Sequence, residues 1–123
     1  MTTDWLNFQP YISQLEAEGF VTRTFRRLDP DRQEAVFHAI LEEAAKFAGE
    51  VLSPLNASGD KAGATFKDAA VTTPPGFKEA YRKFVEGGWP SLASPPEYGG
   101  QGLPESLGLA LTELLGQANW SWS

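Results

Sequence analysis

The hydrophobic and polar positions divide the chain into five helix-sized pieces, and the third has the clearest helical pattern. From residue 30 to about Leu55, apolar residues recur every three or four positions, as on one face of an α-helix. Asp29 stands at the N-cap and Pro30 at the first helical position, whereas Pro54 weakens or kinks the last turn. The predicted stripe is Phe37, Leu41, Ala44, Ala48, Val51 and Leu55, widened by Val36, Ile40 and Phe47.

Two shorter pieces precede this helix. The first covers residues 8–18, with Tyr11, Ile12 and Leu15 on one helical face. The second covers residues 20–28 and is weaker. Its possible core anchors are Phe25 and Leu28.

Residues 56–73 predict a turn-rich connection, with a weak signal for a short hairpin between Thr65 and Thr72. Thr73 is then expected to cap a fourth helix that carries Pro74 and Pro75 in its first turn and ends at Gly87-Gly88. The expected apolar face of this helix is Phe77, Ala80, Tyr81, Phe84 and Val85.

The fifth piece begins near Pro104 and has few polar positions, so we expect a helix that is central and buried on most sides. Its stripe is Leu107, Ala110, Leu111, Leu114 and Ala118, with Leu109 and Leu115 off it. Because Trp120 and Trp122 follow in an uncapped tail, the chain is expected to be a piece of something larger. The predicted fold class is all-α, a bundle of about five helices that is incomplete at the C-terminus.

Composition limits the classes of function. The chain has 123 residues, a formal net charge of -6, one histidine and no cysteine. This excludes disulfides and thiolate sites, and it argues against DNA or RNA as a partner, since phosphate binding needs clustered Lys and Arg. No apolar run is long enough to span a membrane, and the N-terminus lacks the pattern of a signal peptide, so we expect a soluble cytoplasmic protein.

Three side-chain groups outside the glycine-rich region could carry chemistry. They are His38 between Glu34 and Glu42; the basic cluster Arg23, Arg26 and Arg27; and the carboxylates Glu42, Glu43 and Glu50. The histidine could transfer protons, the arginine cluster could bind an anion, and the three glutamates could bind a metal. For His38 and the arginines the favoured interpretation is a solvated helix surface with ordinary ion pairs. A metal site at the three glutamates is disfavoured because the chain contains no Glu-x-x-His pair.

The most informative segment is residues 95–104, PPEYGGQGLP. Proline stiffens its entry, glycine permits positive φ and close backbone approach, and Pro104 starts a helix. It matches neither a dinucleotide-binding fingerprint nor a P-loop. From the residues alone, a structural corner is favoured over a ligand or anion site.

The stretches 40–56, 71–104 and 111–123 resemble the N-terminal helical domain of acyl-CoA dehydrogenases, in the branch of methylmercaptopropionyl-CoA dehydrogenase-like enzymes. The carrying motifs are proline followed by Tyr-Gly-Gly-x-Gly, the upstream Phe-x-x-x-Tyr helix, and Gly-Gly-Trp-Pro. On this basis residues 37–123 form the dehydrogenase-like domain. Residues 1–36 form a separate helical arm, which more weakly resembles the leading arm of tetracycline-repressor-type regulators.

The resemblance implies a part of an enzyme that desaturates acyl-CoA thioesters at the α–β bond. In that family FAD and the catalytic base belong mainly to other domains, so no catalytic, cofactor or metal residue is expected here, no FAD is expected for this chain alone, and Glu97 and Glu113 are poor candidates for the base. The implied partners are the remaining domains, or a homo-oligomer of the enzyme, with acyl-CoA as substrate. The residues implied to border the acyl pocket are Tyr98, Gly99, Gly100, Gly102 and Leu103.

Two alternatives stay open: a fragment of a DNA-binding regulator, suggested by the opening arm, and a helical interaction module that docks through Trp120 and Trp122.

Overall fold

The computed structural model describes Phe25 and residues 28–123. The predicted first helix, the cluster Arg23, Arg26 and Arg27, and most of the predicted arm over residues 1–36 lie outside the described residues. Phe25 and Leu28 are both buried in the core, as predicted. Gln33 fixes them, because its side-chain amide donates to the backbone oxygens of Phe25 and Leu28 at 3.1 and 3.2 Å.

Helix α1 (Pro30–Phe47), a π-helical turn (Ala48–Leu52) and helix α2 (Ser53–Ala62) follow one another without a break. Asp29 caps the start, because its carboxylate accepts from the backbone N–H of Arg32 at 3.1 Å. Pro54 does not end the helix. It lies just after the π turn and the helix continues to Ala62, so the predicted connection at 56–73 is wrong for its first seven residues.

The buried stripe of this helix differs from the predicted one. Its members are Val36, Ile40, Ala44 and Phe47, followed by Ala48 and Leu52. The π turn explains the five-residue step from Phe47 to Leu52, because its wider turn contains one more residue than an α-helical turn. Leu52 is therefore fully buried, whereas the predicted Phe37, Leu41, Val51 and Leu55 pack at the edge of the core.

A hairpin of strands β1 (Thr65–Lys67) and β2 (Ala70–Thr72) follows, and it confirms the weak sequence signal. The strands are antiparallel, with Phe66 opposite Val71. The all-α prediction is corrected accordingly: the described residues are mostly helical and include this small two-stranded sheet.

Helix α3 (Phe77–Glu86) begins later than predicted. Gly76, at φ 88°, takes the N-cap position, so Thr73 caps nothing and the two prolines precede the helix. Phe77 and Ala80 are buried, but Tyr81 and Val85, expected in the core, are exposed. As predicted, the helix ends at Gly87-Gly88.

Helix α4 (Glu105–Ala118) starts after Pro104 as predicted, and it packs against α1 and the π turn. Its buried residues are Leu107, Leu111 and Leu115, so the prediction that Leu115 lies off the stripe is wrong. Since α1 and α2 form one rod, the described residues contain three separate helical rods and a hairpin. A bundle of five helices is not confirmed.

Candidate functional site

The loop between α3 and α4 is the region that the sequence marked as most informative. It opens with Trp89, whose indole is buried with its ring centre 6.3 Å from that of Phe47. Two short 3₁₀ turns follow, Trp89–Ser91 and Pro96–Tyr98. The buried indole therefore anchors one end of the loop in the helical core.

The loop is held together by its own backbone. The N–H groups of Gln101 and Gly102 donate to the oxygens of Ser91 and Ser94, each at 3.0 Å. Leu103 N–H similarly donates to Leu92 O at 3.1 Å, so the two arms of the loop lie side by side. These internal hydrogen bonds hold the loop in one conformation, so we call residues 95–104 a fixed corner.

Glycine is required at several points of this corner. Gly99 and Gly102 have φ values of 82° and 65°, in the left-handed region. At Gly100 a β-carbon would lie 1.9 Å from the backbone oxygen of Ser94, which leaves room for hydrogen alone. The predicted close backbone approach is thus present, and it occurs between the two arms of the loop.

A groove of about 490 Å³ lies between this loop, the end of α3 and one side of α4. Its walls are mainly apolar, and Leu109 stands among the lining residues with 72% of its surface exposed. The polar lining residues are Ser94, Glu105 and Thr112. The Thr112 hydroxyl is already engaged, since it donates to the Gly108 oxygen at 2.9 Å. The groove therefore suits an apolar group better than a charged one.

The residues predicted to border an acyl pocket lie beside the groove. None of Tyr98, Gly99, Gly100, Gly102 and Leu103 is among its lining residues. They fall between two residues that are, Pro95 and Glu105, so they occupy the corner adjoining the groove. Tyr98 is exposed and Leu103 packs against the core. Their bordering role stays a prediction.

Sequence reasoning missed the α4 side of this groove. Leu109 and Thr112 line it, together with Gly108. The only signal was that Leu109 lies off the apolar stripe of α4, and it is a weak one, because single exposed apolar residues are common on protein surfaces.

Among the candidate groups that the structure describes, His38, Glu42 and Glu50 are exposed, whereas Glu43 is partly buried. His38 Nε2 is 3.4 Å from Glu34 Oε1, and both side chains are exposed. Lys46 Nζ donates to Glu43 Oε1 at 2.7 Å, and this hydrogen bond raises the pKa of Lys46 above its ordinary value. Within residue 25 and residues 28–123, no three acidic or imidazole side chains meet in an arrangement that could hold a metal. In the same part of the chain, no helix is long and apolar enough to cross a bilayer.

No protein-family model matches the chain. It is 45% identical over 84 residues to the 3-methylmercaptopropionyl-CoA dehydrogenase of Ruegeria pomeroyi. The chain is homologous to part of an acyl-CoA dehydrogenase. The matched region makes up 68% of this chain but only 14% of that relative, so the chain spans a small part of the dehydrogenase. The resemblance predicted from the motifs is thereby confirmed.

Proposed function

We propose that this chain supplies the N-terminal helical region of an FAD-dependent acyl-CoA dehydrogenase, an enzyme that desaturates acyl-CoA thioesters at the α–β bond. The observation that carries the proposal is the 45% identity to a dehydrogenase of this kind. Because the match covers a small part of that relative, the flavin, the catalytic base and the substrate's CoA portion are assigned to the rest of the enzyme. Cytoplasmic location stays a prediction.

The groove does not fit FAD. The diphosphate of FAD needs cationic side chains or several free backbone N–H donors. None of the groove's lining residues is a lysine or arginine, and Glu105 places a carboxylate there. We therefore propose that this groove binds no flavin on its own and that the isolated chain is catalytically inactive.

The role proposed for this chain is to form part of the wall beside the acyl group. The exposed apolar side chains that line the groove are Pro90, Pro95 and Leu109, and burying methylene groups against them is favourable. The fixed corner at residues 95–104 would border this wall and exclude water from it. Glu97 and Glu113 are not assigned a part in proton transfer.

Neither alternative function gains support. An interaction module was suggested by Trp120 and Trp122. Trp120 is 79% exposed, but Trp122 packs inward and its Nε1 donates to the Phe77 oxygen at 3.1 Å, so the two tryptophans do not form one exposed docking surface. A DNA-binding fragment was suggested by the opening arm, which lies outside the described residues, and the net charge of -6 opposes phosphate binding.

The test is a chimera of the Ruegeria pomeroyi dehydrogenase in which residues 40–122 of this chain, the range that carries the resemblance, replace the corresponding segment of that relative. We expect it to retain flavin and to oxidise an acyl-CoA with an artificial electron acceptor, while the full chain alone does neither. A matched chimera carrying Leu111→Asp, which puts a charge in the core, is expected to lose both properties. A soluble, folded chimera without flavin, or a full chain that binds flavin stoichiometrically, would contradict the proposal.

A further inference from the structure

The hairpin β1–β2 presents an apolar pair that nothing in the described structure covers. Phe66 and Val71 are 75% and 68% exposed. They are direct partners in the antiparallel ladder, so their side chains lie on the same face of the hairpin. All six strand residues are exposed, and the hairpin makes no extensive contact with the described helices.

This hairpin is poorly supported by its own interactions. Two strands of three residues form a sheet that is marginal in water by itself. Its turn residues Asp68 and Ala69 have φ values of 52° and 60°, in the left-handed region. This conformation is sterically unfavourable for alanine because of its β-carbon. An exposed apolar pair on a weak, projecting element is the pattern of a surface that completes its packing against another body of protein.

We propose that the Phe66–Val71 face of the hairpin docks onto an apolar surface of the flavin-bearing remainder of the same enzyme. This rests on the proposed function. The occupant follows from the comparison, because the matched segment is 14% of the relative and most of such an enzyme is outside this chain. A second copy is the poorer occupant, since pairing would bring together two chains that each carry a net charge of -6.

The test uses the chimeric dehydrogenase and the full chain in parallel. The variant Phe66→Thr with Val71→Thr removes most of the apolar surface but places residues with high β-propensity at both positions and keeps a cross-strand pair. A second variant adds Asp68→Asn and Ala69→Gly, because Asn-Gly is the preferred pair for this turn and strengthens the hairpin itself.

In the chimera we expect the double threonine variant to release flavin at least about tenfold faster than the parent, because weaker docking of the hairpin would loosen the flavin-bearing part of the enzyme. The added Asn-Gly turn should not restore retention. In the isolated full chain, the threonine variant should leave the thermal midpoint of the helices unchanged, since the hairpin packs against none of them extensively.

Each other outcome overturns the inference in a recognisable way. Equal flavin release from an active parent and an active threonine variant removes docking but leaves the proposed function standing. If the Asn-Gly turn restores flavin retention, Phe66 and Val71 serve only the hairpin's own stability. A full-chain dimer that the threonine variant dissociates identifies a second copy as the occupant. A folded parent chimera without flavin removes the proposed function and this inference with it.

Discussion

The side chain of Asn119 is hydrogen-bonded to the backbone oxygen of Leu52, 67 residues earlier in the chain. Its Nδ2 donates at 3.3 Å, and its Oδ1 accepts from the backbone N–H of Trp122 at 3.2 Å. Leu52 is the last residue of the π turn, where the helical hydrogen-bond ladder is irregular. Asn119 is 1% exposed, so one buried amide joins the end of α4 to the irregular turn of the long helix.

Removing this amide is expected to destabilise the fold. Asn119→Ala should lower the free energy of unfolding by about 1–3 kcal/mol, because it removes the donor to the Leu52 oxygen and leaves space where the buried amide was, while the Trp122 N–H keeps its bond to the Asn119 backbone oxygen. Chemical denaturation of the full chain measures the effect. The matched control is Gln117→Ala, whose amide reaches Glu113 on the exposed side of the same helix and should change stability by about 0.5 kcal/mol or less. Equal effects would contradict a structural role for Asn119.

The corner before α4 is expected to tolerate no side chain at Gly100. Gly100→Ala would place a β-carbon 1.9 Å from the Ser94 oxygen, a clash with backbone that only a shift of the loop can relieve. We expect a loss of about 2 kcal/mol or more in thermal unfolding. Gly49→Ala is the control, because its β-carbon meets nothing within 4 Å and alanine favours helix by about 0.5–1 kcal/mol. A stable Gly100→Ala protein would show that the two arms of the loop separate easily.

Much of this architecture could be predicted from local chemistry. Asp29-Pro30 fixes the start of α1, Gly87-Gly88 the end of α3, and Pro104 the start of α4, because each acts on the backbone of its own turn. The close approach in the loop was likewise readable from its glycines.

What the sequence did not reveal depends on tertiary contacts. The helix continues past Pro54, just after the π turn, and the last residue of that turn accepts a hydrogen bond from the distant amide of Asn119, a contact that local sequence does not display. That same turn moves the buried face from Val51 to Leu52. The groove was missed because its walls come from two segments, residues 84–95 and residues 105–115, and their approach in space is not visible in the sequence.

The two tryptophans of the C-terminal tail are expected to differ sharply. Trp122 stacks edge-on against Phe84 with ring centres 5.5 Å apart, and its Nε1 donates to Phe77 O. Trp122→Ala should therefore cost about 2–4 kcal/mol of unfolding free energy, measured by denaturant titration. Trp120 is 79% exposed, so Trp120→Ala should cost about 1 kcal/mol or less. The reverse order would revive the idea that Trp122 serves a partner.

The ion pair on α3 predicts a small pH dependence of stability. Arg82 donates to Glu79 at 2.6 Å, and this hydrogen bond lowers the pKa of Glu79 below its ordinary value of 4.5. A carboxylate whose pKa is lowered by folding adds stability above pH 4.5, and the added stability is lost as the pH falls through the folded pKa. Thermal midpoints of the parent and Glu79→Gln should differ slightly at neutral pH and converge in acid. High salt should shrink the difference, since both side chains are exposed. A difference that grows in acid would contradict this account.

If the groove is part of the acyl wall, filling it should change which acyl groups the whole enzyme accepts. A β-carbon at Gly108 would lie 3.8 Å from Glu105 Oε2 and 4.0 Å from the Ala93 β-carbon, so the backbone admits a side chain there. In the chimeric dehydrogenase, Gly108→Leu should therefore lower kcat/KM for long acyl-CoA substrates about tenfold relative to short ones, because its methyl groups occupy space that long chains need. Gly49→Leu adds the same side chain at an exposed site outside the groove lining and should leave that ratio unchanged. If neither substitution changes the ratio of kcat/KM for long and short substrates, the groove does not contact the acyl chain, whatever the overall activity of the chimera.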